Sequence, residues 1–113
     1  MAGRKWPAFT PPHWPKIRPA LTATGVLVGE GDFDAQLVQV MANIDRVLAA
    51  GGSDRSRIVK VTIYLTDMAN FQKIVDARSA YFTAPYPADT IVEVKSLALP
   101  ELLLEIDVIA TTS

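Results

Sequence analysis

The chain has no cysteine, so disulfide staples, thiolate nucleophiles and thiolate metal sites are excluded and stability has to come from packing. Its single histidine, His13, falls in a proline-rich stretch, where a lone imidazole makes neither a metal site nor a triad. No run approaches the roughly 18 uninterrupted apolar residues that a spanning helix needs. The cation-bearing N-terminus carries no apolar segment of the secretory kind, and the expectation is a cytoplasmic protein with no membrane partner. An excess of one charge sign is also missing: 11 basic and 12 acidic side chains leave a formal −1, and no basic stripe offers nucleic acid a footprint. Neither GxGxxG, the P-loop nor HExxH occurs, and Gly29-Glu30-Gly31 lacks the spacing and the lysine of a phosphate cradle. No cofactor is expected.

What is present fits one small domain, since 113 residues support a single core and not two. Five of the eight prolines (Pro7, Pro11, Pro12, Pro15, Pro19) crowd residues 1–19 together with Trp6 and Trp14. Proline at that density prevents regular helix and central strand, so this stretch reads as an arm, extended over the domain or frayed, ahead of a domain covering 20–113. A short strand is predicted over Ala20 to Val28, before the turn-forming run Gly29-Glu30-Gly31-Asp32.

The strongest periodicity lies between Phe33 and Ala50. There Leu37, Val40, Met41, Ile44, Val47 and Leu48 recur at three- and four-residue spacing and form one apolar helical stripe. Asp32 is placed to cap this helix, Asp34 complements the positive end of its dipole, and Gly51-Gly52 ends it. Ile58 to Leu65 predicts a central strand, with Lys60, Thr62 and Tyr64 on one face and Val59, Val61, Ile63 and Leu65 on the other. A second helix is predicted from Met68 to Phe82, capped by Thr66 or Asp67 and closed by Pro85-Tyr86-Pro87. Thr90 to Leu97 and Leu102 to Thr111 read as two strands of a hairpin, which gives an α+β order of β-α-β-α-β-β. Two helices cover only one sheet face, yet the last strand places Leu104, Ile106 and Val108 on one side and Leu103 and Ile109 on the other. The second face then needs a cover, most simply further copies of the chain.

Several segments, in order, resemble the Rid family (reactive intermediate deaminase, YjgF-like) over roughly residues 29 to 111: Gly31-Asp32-Phe33-Asp34-Ala35-Gln36, Asn43-Ile44, Leu48-Ala49-Ala50-Gly51-Gly52, Val59 through Met68, Phe71, Tyr81-Phe82, Pro87-Ala88 and Glu105-Ile106-Asp107-Val108-Ile109-Ala110. The resemblance implies a chorismate-mutase-like α+β fold and a homotrimer whose sheets form an inner barrel, with small-molecule clefts at the subunit interfaces. It also implies cofactor-independent hydrolysis of enamines and imines to a 2-keto acid and ammonia. In such chemistry an arginine fork holds the substrate carboxylate and a nearby carboxylate serves the attacking water.

Three positions depart from the family pattern. The arginine that follows Pro-Ala in the family is Asp89 here, an anion where a substrate anion would sit. The first hairpin reads as shortened to Thr22-Ala23-Thr24-Gly25-Val26, and an asparagine found in some second helices corresponds to Val75. The family carboxylate near the C-terminus does have a counterpart in Glu105. Glu105 and Asp89 are therefore the candidate catalytic residues, and Thr90, Tyr64 and Tyr86 the candidate substrate-binding ones. The alternatives are structural: Glu105 paired with Lys60 or Lys95 across strands, and Asp89 as a solvated strand-end residue instead of one half of an acid pair with Glu105. Asp107 shares the Glu105 face of an ideal strand. Two functions remain open, a divergent enamine or imine deaminase and a non-catalytic trimer that binds a small metabolite or a partner.

Overall fold

The computed structural model describes residues 16–18 and 26–112; Trp6, Trp14, His13 and most of the strand predicted over 20–28 lie outside the described residues. The elements are β1 (Lys16–Arg18), α1 (Phe33–Ala50), β2 (Ile58–Leu65), α2 (Phe71–Tyr81), β3 (Ala88–Glu93) and β4 (Leu104–Ala110). Short 3₁₀ turns at Arg55–Arg57 and Met68–Asn70 lead into β2 and α2.

Helix α1 occupies the predicted span. Its Asp32 carboxylate accepts the Ala35 backbone N–H at 3.1 Å, and at the other end the Gly51 N–H donates back to the Val47 and Leu48 carbonyls. Asp67 does cap, but it caps the 3₁₀ turn, accepting from Ala69 N–H. The α-helical part of the second helix then begins at Phe71 behind Asn70, whose side chain makes no capping bond.

One apolar layer joins the helices to the sheet. Phe33, Leu37, Val40, Ile44 and Leu48 of α1 and Ile74 and Tyr81 of α2 pack against Val61, Ile63, Leu65, Leu104, Ile106 and Val108. Both helices thus lie on the same side, as the sequence predicts. A fully buried Ile or Leu in such a layer is worth about 2–5 kcal/mol against truncation to alanine.

Sheet order is β1-β4-β2-β3, and this corrects the predicted hairpin. Strand β3 pairs in parallel with β2, whereas β4 pairs antiparallel with the opposite edge of β2, so β3 and β4 are separated by a strand. The reason is that β3 ends at Glu93, four residues early, and the chain from 94 to 103 crosses the end of β2. Val94 N–H donates to the Leu65 carbonyl at 2.8 Å, and Thr66 N–H donates to Leu103 at 3.2 Å. Parallel pairing suits β2 and β3 because α2 supplies the long crossover that a parallel pair requires. Strand β1 pairs with the outer edge of β4, inside the stretch assigned to the arm; an edge is where a proline-flanked strand is tolerated.

A second correction concerns the faces of β2. The ladder with β4 slips between Ile58 and Lys60, and the extra residue of a bulge reverses the alternation on its N-terminal side. Ile58 is therefore buried and Val59, predicted to share a face with Val61, Ile63 and Leu65, is 47% exposed.

Candidate functional site

Cross-strand register brings three of the predicted site residues onto the sheet face turned away from the helices. Tyr64 of β2 lies opposite Glu105 of β4, and Thr90 of β3 lies opposite Thr62, one pair further along. These positions alternate with Ile63, Leu65, Leu104 and Ile106, all of which enter the core. Glu105 is 8% exposed although it belongs to the open face. Burial pushes its carboxyl above the ordinary glutamate value, opposed by a backbone hydrogen bond from Ala98 in the β3–β4 connection.

Two residues on, Asp107 lies opposite Thr62, and its Oδ1 is buried without a hydrogen-bond partner. Burial raises its carboxyl as well, and the Lys60 charge works the other way. Lys60 donates to Thr62 Oγ1 at 3.3 Å. Lys60, one of the two cations foreseen as partners for Glu105, thus acts on Asp107 instead. Chemically this face offers a buried carboxyl that exchanges a proton nearer neutrality than an exposed one, next to a phenol and a hydroxyl.

Asp89 is not part of that group. It stands opposite Val61 and turns to the helix side, where its Oδ2 pairs with Nη1 of Arg78 in α2. The acid pair with Glu105 is not formed; Asp89 is an exposed residue near the start of β3, as the structural alternative has it, and it is paired with Arg78. Although the residue as a whole is exposed, its side chain keeps only 26% exposure and that of Arg78 31%. Tyr86, 65% exposed, belongs to the same region, in a cleft of about 400 Å³ walled by Arg78, Ser79, Phe82, Tyr86, Pro87 and Asp89. The five predicted site residues thus form two groups on opposite sides of the sheet.

Three polar features escaped the sequence reading. Arg78 carries no motif and sits among other polar helix residues. Gln36 is fully buried, its amide donating to the Gly29 and Glu101 carbonyls, both at 3.0 Å, and its carbonyl accepting Leu103 N–H at 2.9 Å. Asp45 accepts from Tyr81 Oη at 2.6 Å and from two nitrogens of Arg55 at 3.0 and 2.8 Å. The Arg55 bonds hold the Asp45 carboxyl below the ordinary aspartate value, with burial opposing and the Tyr81 bond assisting. Among the described residues no cluster of His, Asp and Glu suits a metal ion, and no helix is long and apolar enough to cross a membrane.

Residues 18–112 match the family described as Endoribonuclease L-PSP. The chain belongs to the Rid family. Among its relatives, the Reactive Intermediate Deaminase A of Arabidopsis thaliana chloroplasts is 41% identical over 88 residues, 78% of this chain and 46% of that protein. Protein DfrA of Myxococcus xanthus is 41% identical over 83 residues, 74% of this chain and 63% of that one. The chain therefore spans between about half and two thirds of these two relatives. Among solved structures, yeast YEO7 superposes with a TM-score of 0.79 at 33% identity, covering 87% of this chain and 77% of that one. The Rid resemblance read from the ordered segments and the α+β fold it implied are both borne out.

Proposed function

We propose that this Rid chain works in the cytoplasm as a homotrimer and hydrolyses a reactive enamine or imine, releasing ammonia, in clefts where copies meet over the open sheet face. The observation that carries this reading is Glu105, a carboxyl buried beside Tyr64 and held above its usual value by that burial. In the carboxylate form Glu105 takes a proton from water as the water oxygen bonds to the imine carbon. In the acid form it returns that proton to the nitrogen, giving a carbinolamine. A second transfer by the same carboxyl, from the carbinolamine hydroxyl to the nitrogen, lets the C–N bond break to leave a carbonyl and ammonia. A carboxyl with a raised value serves both steps better than an exposed one, because its two protonation states lie closer in energy near neutral pH. Thr90 and Tyr64 would orient the substrate through their hydroxyls.

A second reading, a trimer that binds a metabolite without turnover, is favoured by one observation. Asp89, at the position where the resemblance places the substrate-holding arginine, is engaged with Arg78.

Ammonia release from 2-imino acids generated in situ separates the two. Deamination is expected from the natural chain, falling on the order of 10²-fold or more in Glu105→Gln. Equal rates in the two proteins, or none in either, would discard the deaminase reading. Solution mass gives the assembly, and a stable single subunit at assay concentration would remove the shared clefts.

A further inference from the structure

Two influences act on the Glu105 carboxyl: burial, and a hydrogen bond from the Ala98 backbone N–H. Ala98 belongs to the connection from β3 to β4, so the path of residues 94–103 decides whether that donor stays on the carboxyl. The charged and titratable neighbours are Tyr64 and Lys60 on β2, Asp107 on β4, Glu93 at the end of β3, and Lys95 and Glu101 in the connection. None of them acts on Glu105 as burial and Ala98 do.

At its ends this connection is held by β2 and the residue after it, through Val94 N–H on Leu65 and Thr66 N–H on Leu103. Between those anchors the hold comes from α1. Gln36, fully buried, donates from its amide to the Glu101 carbonyl at 3.0 Å, and its own carbonyl accepts the Leu103 N–H at 2.9 Å. The same amide also donates to the Gly29 carbonyl at 3.0 Å, which fixes its plane. A primary amide suits this task because it carries two donors and an acceptor in one group. Without it the Glu101 carbonyl and the Leu103 N–H have to reach water or move, and the residues between Ala98 and Glu105 move with them.

We infer that Gln36 is a positioning residue for Glu105: by holding Glu101 and Leu103 it keeps the Ala98 N–H on the carboxyl and so governs its proton exchange. It meets no substrate on the open face, because α1 packs on the other side of the sheet. The direction of the effect follows from the donor. An N–H favours the carboxylate form, so its loss raises the pH at which Glu105 titrates. The consequence for turnover rests on the deaminase reading, in which the carboxylate takes the first proton; the acid limb of the rate profile then moves to higher pH.

Carbon-13 NMR of the full chain, labelled at the glutamate carboxyl carbon and assigned with Glu105→Gln, follows this carboxyl directly. Gln36→Met keeps the length and removes the bonds, and the milder Gln36→Asn keeps the amide but stops one methylene short. Both are expected to titrate Glu105 roughly half a unit to one unit higher than the natural chain. Ala98→Pro removes the donor itself and is expected to give the same shift, with no further rise when combined with Gln36→Met. Ile44→Val, a core change in the same helix that leaves the connection alone, is expected to give none. An unchanged Glu105 midpoint in either folded Gln36 variant overturns the inference. Additive shifts in the double variant, or an equal shift in Ile44→Val, overturn it as well. In ammonia release, the acid limb of kcat/KM is expected to rise by the same amount in Gln36→Asn. A natural chain that releases no ammonia defeats the deaminase reading alone, since the titration needs no turnover.

Discussion

Gln36 and Leu103, 67 positions apart in sequence, are joined by a hydrogen bond from the Leu103 backbone N–H to the Gln36 side-chain carbonyl at 2.9 Å. With the amide of Gln36 bonded to Gly29 and Glu101, one side chain of α1 satisfies three backbone groups in two separate loops. The second of these loops carries Ala98, which hydrogen-bonds Glu105, and leads directly into β4. Gln36 therefore sets the path of the chain beside the candidate carboxyl.

Replacing Gln36 with leucine keeps the approximate volume and removes all three bonds. Each stranded backbone group in a buried place costs about 1–3 kcal/mol, partly relieved where water reaches the loops, and a loss of about 2–4 kcal/mol is expected. Urea unfolding measures it. A change below about 1 kcal/mol would mean that the loops find other partners and that the staple contributes little.

Gly29 and Gly52 share a positive φ of 75° but differ in their surroundings. A Cβ at Gly29 would lie 2.8 Å from Ala35 Cβ in the first turn of α1, whereas at Gly52 it would meet nothing within 4 Å. Both alanine variants suffer the left-handed backbone, about 1–2 kcal/mol, and only Gly29→Ala adds a clash. Gly29→Ala should therefore melt clearly below Gly52→Ala, and equal melting temperatures would contradict the packing described at Gly29.

Local signals carried much of the fold. The α1 stripe, its Asp32 cap and its glycine stop depend on spacing within a few turns, and all three were legible. The β3–β4 pairing was not, because two strand-like runs with a proline between them look the same whether they pair with each other or with opposite edges of a third strand. What decides is the crossing of 94–103 over the end of β2, held by Leu65 and Leu103, a tertiary matter. The site divides in the same way. Glu105 and Thr90 are legible as candidates through the family resemblance, and the face they share with Tyr64 follows from two-residue periodicity only once the strand register is known. The Asp89–Arg78 pair is not legible in the sequence, because Arg78 comes from a helix and nothing in a spacing of eleven residues indicates that the two meet.

Glu105 and Asp107 give the folded chain a distinct pH response. Burial raises both carboxyls, so between the ordinary carboxylate value and the raised folded value the folded state binds more protons than the unfolded state. Stability then falls as pH rises through that window and levels off above it. Asp45, held low first by Arg55, acts in the opposite sense, its contribution present at neutral pH and lost on acidification. A difference between proteins isolates the first effect. The urea midpoint of Glu105→Gln minus that of the natural chain should increase from about pH 4 to about pH 7. A flat difference would place the Glu105 carboxyl in water.

Tyr81 and Asp45 tie the end of α2 to the middle of α1, and this contact supports the Arg78–Asp89 cleft because Phe82 packs on the Tyr81 ring. Burial, then the bond to Asp45, sets the Tyr81 phenol well above its ordinary value, so it stays a donor at every physiological pH. The Arg55 guanidinium covers the same ring at 3.9 Å, but Arg55 and Asp45 keep 49% and 40% side-chain exposure. An exposed ion pair contributes under about 1 kcal/mol, whereas a hydrogen bond from a buried tyrosine to a charged acceptor contributes about 1–2 kcal/mol. Tyr81→Phe should therefore destabilise the chain more than Arg55→Lys does. In a double-mutant cycle, Tyr81→Phe and Asp45→Asn should couple by about 1 kcal/mol. If the coupling is near zero while Arg55→Lys is the costlier change, the ion pair and not the phenol holds the two helices together.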